Sequence, residues 1–405
     1  MKTIVVLGGG YAGLKTVVAL QKKMRNEVKI ILINQNSYHY ETMRLYEVAS
    51  GSYPYTRMSY ELADVLDRSM SELIIDQVEK IDIKNKAIEL KNHAPIHYDY
   101  CVVALGFIFN DMGIDGAKEY ALPMSNVKQA QAIRDHLKNE MKAYSEDHDP
   151  KHLSIAICGA GFQATELAGA LAQARPRFAK IAGVEPEKIT IKMIDGSENT
   201  LPMFEGKVLK YALKQIKKHR IEILNPAYVQ KVTDHSVMYK EKDSDDIKEI
   251  VAGTRIWMMG FSGSPVIEKS GFKNRRGRVM VSDHLTAPES KDIYVLGDGS
   301  IVINPATKWA WPNTAQMALS MANYAVDDIR SRVNGQARPT KYAYHDLGEV
   351  LTIGESKAAG NALGHGYRGY LASALKNKKI IIDKSLMETG GLKETLSVGR
   401  FDLYH

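Results

Sequence analysis

Gly8-Gly9-Gly10-Tyr11-Ala12-Gly13, entered from the apolar run Ile4-Val5-Val6-Leu7, decides how this chain is built. The same arrangement returns as Gly159-Ala160-Gly161-Phe162-Gln163-Ala164 after Ile155-Ala156-Ile157-Cys158. In each, a short buried strand breaks into a glycine turn that opens a helix. Glycine lets backbone approach a pyrophosphate, and the helix N-terminus meets it with unpaired amides and a positive dipole end. One such turn is a weak signal. Two of them predict two dinucleotides on one protein, a flavin and a nicotinamide exchanging electrons.

Working outward, residues 2–7, 11–23 and 28–33 read as strand, helix and strand. The second strand gives way at Asn34, where an acidic residue usually holds the adenosine ribose; an amide oxygen can still accept from a hydroxyl. A strand over 100–105 ends at Gly106, and a long helix is expected over 126–145. The second unit repeats the pattern with a strand at 153–158, a helix over 163–182 and a strand at 188–194 ending in Asp195. A carboxylate there favours a free 2′-hydroxyl and repels a 2′-phosphate, so NAD is expected over NADP. Residues 256–259 before Gly260 echo the strand end at Gly106, and Ile293-Tyr294-Val295-Leu296 runs into Gly297-Asp298. These predict that the chain returns to its first domain near residue 255. A helix over 313–329 begins at Thr314-Ala315-Gln316. The expected class is α/β, with two Rossmann-like dinucleotide-binding domains, the second inserted in the first. The expected segments are 1–112 and 255–341 for the first domain, 113–254 for the second, and a C-terminal region at 342–405.

Composition narrows the function. The chain of 405 residues is 44% hydrophobic and 25% charged, which suits two or three globular domains. No apolar run approaches the roughly 20 residues of a membrane span, and the N-terminus enters a strand at once, without the pattern of a signal peptide. Cys101 and Cys158 both lie inside strand-like runs and lack the spacing of a redox disulfide; buried, reduced thiols fit a cytoplasmic protein. A net charge of +7 fits an anionic membrane face or a mildly basic surface equally, and nucleic-acid motifs are missing. Residues 366–405 carry seven Lys/Arg against four Asp/Glu, interleaved with Tyr367, Tyr370, Leu371, Leu375, Ile380, Ile381, Ile382 and Leu386. A helix over 367–386 could lie in a membrane interface, form a dimer, or pack on the core.

With its order of Gly8–Leu14, Tyr38-His39-Tyr40-Glu41, 103–107, Gly159–Glu166, Leu201-Pro202-Met203-Phe204, Gly297-Asp298 and 312–316, the chain resembles the bacterial type II NADH dehydrogenases. These are NADH:quinone oxidoreductases among the two-dinucleotide-binding-domain flavoproteins, and the likeness covers nearly the whole chain. The resemblance implies tightly bound FAD on Gly8, Gly10, Tyr11, Ala12 and Gly13, with Asn34 and Gln35 beside the adenosine and Val78 near the adenine. It places Ala104, Leu105, Gly106, Asp298, Ala315 and Gln316 along the flavin, and Lys379 reaching back toward it. NADH, the co-substrate, would meet Gly159, Gly161, Phe162, Asp195 and Gly260. Glu166 is the implied catalytic residue, orienting NADH or passing protons, and Gln316, Ser320 and Met321 would border the quinone. The sequence departs from the family at Ala164, which replaces the third glycine. It departs again at Arg44 and Tyr46, where an aromatic and a histidine are commoner, and at Ser320 and Met321.

The implied activity is non-pumping oxidation of NADH at the cytoplasmic side of the cell membrane, reducing a menaquinone-like quinone in respiratory electron transfer. No metal is expected, and a homodimer is left open. Three rivals stand beside it: a soluble NADH-dependent flavin reductase with another acceptor, a sulfide:quinone-type relative disfavoured by its cysteines, and a non-enzymatic redox sensor.

Overall fold

The computed structural model describes residues 1–354 and 356–376. The chain opens with the strand Lys2–Leu7, helix α1 (Tyr11–Lys23) and the strand Val28–Asn34. The two strands pair in parallel, with Ile4 opposite Ile30 and Leu7 opposite Ile33. Four more strands complete a six-stranded sheet in the spatial order 286–287, 290–295, 100–103, 2–7, 28–34, 71–75. Ile4, Val5, Val6 and Leu7 are all fully buried because helices or a smaller sheet cover both faces, so this central strand reads as an unbroken apolar run. α1 buries Leu14, Val17 and Leu20 against the sheet and ends in Lys22 and Lys23, which complement its negative dipole end.

Helix α2 (Leu45–Ser50) leaves this unit and lies across the next. Helix α3 (Val127–Asp147) follows, its start fixed where the Asn126 side chain accepts from Gln129 N at 3.0 Å. The second sheet then forms in the parallel order 122–123, 254–257, 154–158, 190–194, 221–224. Between its strands run α4 (Phe162–Ala182) and α5 (Gly206–Lys218). The strand Thr254–Trp257 therefore belongs to the second sheet, which corrects the expected return near residue 255. Its echo of 102–106 has another cause. Each strand flanks the first strand of its own unit, one in each sheet. Gly106 (φ 66°) and Gly260 (φ 63°) then bend both chains into an antiparallel ribbon, Phe107–Phe109 against Phe261–Gly263. We place the segment boundary in this ribbon. Helix α6 (Ala315–Val333) packs on α1 after the strand Ser290–Val295 has rejoined the first sheet.

A single core spans the junction. Leu45 and Val48 of α2, Ile133 and Leu137 of α3, and Leu167 and Leu171 of α4 share one buried cluster with Leu351 and Ile353. Each such side chain contributes about 2 kcal/mol by burial, which fastens α2 and the C-terminal strands to the second unit. Over its described part the C-terminal region packs on the second unit. Val350–Thr352, Ala358–Ala362 and His365–Gly369 form an antiparallel sheet on α4 and α5. Gly169 permits this: a Cβ there would press on the backbone of Ile353 and Gly354. Tyr367 is thus in a strand, and the expected helix over 367–386 starts at residue 370 instead. Its part beyond 376 lies outside the described residues. Among the described residues no helix is long and apolar enough to cross a membrane.

Candidate functional site

The two glycine turns share the same two anchoring bonds. Gly8 N donates to Ile33 O at 2.8 Å and Gly159 N to Ile194 O at 2.7 Å. Gly9 N donates to Asn34 Oδ1 at 2.8 Å and Ala160 N to Asp195 Oδ2 at 2.7 Å. Asn34 steadies itself through Nδ2 on Asn36 O, and Asp195 by accepting from Ser197 N at 2.8 Å. His39 braces the first turn further, with Nδ1 2.8 Å from Gly9 O. In both turns the residue ending the second strand therefore holds the loop open beneath a helix N-terminus.

The glycines divide into two kinds. Gly8 (φ 101°) lies against the Ala104 carbonyl and Gly13 against the Gly8 carbonyl, so neither has room for a Cβ. Gly10 and Gly161, at the two helix N-caps, face open space instead. Neither helix has a side-chain cap or an acidic residue in its first turn, which leaves backbone amides and the dipole free for an anion. Each turn is thus a cradle that fits a dinucleotide pyrophosphate. Ala164, in place of a third glycine, is accommodated at 2% exposure.

Around the first cradle the chain gathers Ala104 to Gly106, the Gly297-Asp298 turn and the start of α6. A Cβ on Gly297 (φ 65°) would touch both Ala12 and Ala318, so that turn sits between the two helices. Burial raises the Asp298 carboxyl, opposed by Arg278 and a hydrogen bond from Asn313. Thr314 caps α6 by accepting from Met317 N at 3.1 Å, and the Gln316 amide donates to His345 O at 3.2 Å. Tyr11 packs edge-on to His39, while Gln35 is exposed and Val78 is buried with Val5 and Leu7. Met321 does not border an open site: it is fully buried in the first core, with Ser300 Oγ 3.8 Å from its sulfur. Ser320 is covered by Tyr342, whose hydroxyl lies 3.3 Å away.

Glu166, one turn into α4, is 1% exposed and pairs with Lys376 Nζ from the C-terminal helix. Its Oε1 also accepts from Thr352 N at 3.0 Å. Lys376 lies 5.8 Å from the ring centres of Tyr46 and Phe162. Burial raises the Glu166 carboxyl, and the Lys376 cation opposes it. Beside the pair, Arg44 bridges Glu47 at 2.8 Å and Glu41 at 3.3 Å; burial works against its charge, but the two carboxylates outweigh it and raise its pKa. Lys379 lies outside the described residues; among the described residues Lys376, three positions earlier, reaches the interior. The signal for it was Glu166 itself, since a carboxylate on an apolar helix face demands a buried cation. Cys101 and Cys158 are both fully buried in strands; burial raises the Cys101 thiol and pushes Cys158 up to about 12, so both are inert.

Comparison with known proteins adds three findings. A family model described as pyridine nucleotide-disulphide oxidoreductase matches residues 2–322. The type II NADH:quinone oxidoreductase of Staphylococcus haemolyticus is 32% identical over 403 residues, covering 99% of both chains. Among solved structures, NDH2 from Plasmodium falciparum in complex with NADH superposes over all of both chains with a TM-score of 0.85 and 17% identity. The sulfide:quinone oxidoreductase of Aquifex aeolicus also superposes, with a TM-score of 0.79 and 21% identity, covering 100% of this chain and 96% of that one. At such identities the two structures speak for the fold alone.

Proposed function

Because the chain belongs to the type II NADH:quinone oxidoreductases, within the pyridine nucleotide-disulphide oxidoreductase family, we propose that its two glycine turns divide the cofactors, FAD on Gly8–Gly13 and NADH on 159–164. The protein is an enzyme that oxidises NADH and reduces a quinone by way of a flavin. A flavin bound there would supply the two-electron chemistry between NADH and quinone, the quinol taking up two electrons and two protons. The chain's residues supply position and protons.

The observation that carries the division is the side chain that braces each turn: an uncharged amide at Asn34, a carboxylate at Asp195. Gly10 and Gly161 leave room for the two pyrophosphates, and Asp298 and the α6 N-terminus flank the flavin. That N-terminus would favour negative charge on a reduced flavin held beside it. Glu166 and Lys376 form the proton-holding pair on the quinone side. Burial keeps the Glu166 carboxyl prone to hold a proton, which quinone reduction consumes. Inert cysteines argue against sulfide chemistry, which would need thiols at the flavin. The remaining parts of the reading are a menaquinone-like acceptor, no proton pumping, and a peripheral seat on the cytoplasmic face of the membrane.

Asp195→Asn tests the division cleanly, because Asn34 already performs the same bracing in the first turn. The wild type should prefer NADH to NADPH at least tenfold in kcat/KM, about 1.4 kcal/mol. The variant should fold normally and narrow that gap severalfold. Equal efficiency with both cofactors in the wild type would remove Asp195 from the ribose.

A further inference from the structure

Between the strand Ser300–Ile301 and α6 the chain makes a short hairpin that the account so far does not use. Ile303 bridges Ala310, Asn304 N donates to Trp309 O at 2.8 Å, Lys308 N to Asn304 O at 2.9 Å, and Trp311 N to Val302 O at 2.9 Å. These bonds fix the loop and hold Trp309 outward, 79% exposed, with Ile303 40% exposed at the hairpin base. A rigidly presented tryptophan next to a lysine is matched to an interface: the indole has an apolar body and a polar N–H, and the lysine stem can keep its charge in water.

The hairpin also adjoins the start of α6, where Gln316 is the quinone-side candidate left accessible. Trp311 packs edge-on against Tyr344 with ring centres 5.1 Å apart, and the Tyr344 hydroxyl lies 3.5 Å from Thr314 Oγ1, the cap of the helix that carries Gln316. Three residues past Tyr344, Leu347 accepts from Leu363 N at 3.0 Å; these leucines are 48% and 73% exposed. Four scattered side chains fall short of the roughly 800 Å² per partner that a stable dimer needs, but they suffice to dip into a bilayer. The acceptor is a quinone, an apolar molecule that dissolves in the bilayer, and the exposed apolar side chains rim the segment covering Gln316.

We propose that the Trp309 hairpin is a second membrane contact, inserting into the headgroup boundary beside the quinone entrance independently of the C-terminal helix. This rests on the peripheral membrane seat proposed above. The probe is the holoenzyme with vesicles of phosphatidylcholine and phosphatidylglycerol, with and without brominated acyl chains. The chain has three tryptophans, Trp257, Trp309 and Trp311, and none follows 311. Trp257 is 1% exposed, so quenching by bromine reports the hairpin and not the tail.

The expected result is co-sedimentation with quenching that survives Trp311→Phe and disappears in Trp309→Phe. Trp309→Glu should also weaken sedimentation severalfold while leaving NADH-to-ferricyanide activity unchanged. Co-sedimentation without quenching would overturn the hairpin contact and leave the membrane seat standing. No co-sedimentation at low salt would overturn the seat and the hairpin contact with it.

Discussion

Gly10→Val is expected to give a folded protein that purifies without flavin. The backbone does not oppose the change, since Gly10 has φ −78° and ψ −167°, an extended conformation open to any residue. Its Cβ direction meets nothing within 4 Å, so the branched side chain occupies the space left for the pyrophosphate. Gly8 and Gly13 make poor tests by comparison, because a Cβ there collides with backbone carbonyls and damages the fold itself. Absorbance of the purified protein and its thermal melt separate the two effects. A yellow, fully loaded Gly10→Val protein would take FAD off that turn. The twin variant Gly161→Val should keep its flavin and lose NADH binding instead.

The second large effect belongs to Glu166. Glu166→Gln keeps an acceptor for Thr352 N and Lys376 but removes the ionisable group that can take up and release a proton. Loss of a positioned acid–base group typically costs 10²–10⁴-fold, so kcat with quinone should fall roughly 100-fold with FAD retained. Reduction of the flavin by NADH, followed in a rapid-mixing instrument, should change far less than its reoxidation by quinone. A kcat unchanged at saturating NADH and quinone would return Glu166 to a structural role. Deleting residues 366–405 is not an equivalent test, because it removes Lys376 and strands a buried carboxylate.

Much of this fold was legible in the sequence where local signals are strong. The strand at 2–7 and helix at 11–23 were bounded correctly because an apolar run, a glycine turn and a pair of terminal lysines punctuate them. The strand expected at 256–259 lies at 254–257 and joins the second sheet, not the first. Periodicity shows that a segment is extended but not which edge it joins, and an internally duplicated architecture offers two equivalent edges. The short strand His365–Gly369 was missed since two glycines and an arginine among five residues hide the alternation. In the site, the glycine turns and the strand-end residues Asn34 and Asp195 follow from the strand–turn–helix pattern, whereas His39 against Gly9 carries no such signal. Met321 could not, because one helical step separates the face that packs on Ser300 from the face that Ser320 turns toward Tyr342. Lys376 lies 210 positions from Glu166, and only the tertiary fold chooses it among the tail lysines.

The central claim is that one flavin connects NADH to quinone on this chain. An anaerobic titration tests it most directly: NADH is added stepwise to the purified holoenzyme while the oxidised-flavin absorbance is followed, and menadione is then added. Bleaching that is complete at one NADH per flavin, followed by full recovery of the oxidised spectrum on adding menadione, is the predicted result. Bleaching that menadione does not reverse would contradict quinone as the acceptor, and a spectrum that NADH leaves unchanged would contradict the account as a whole.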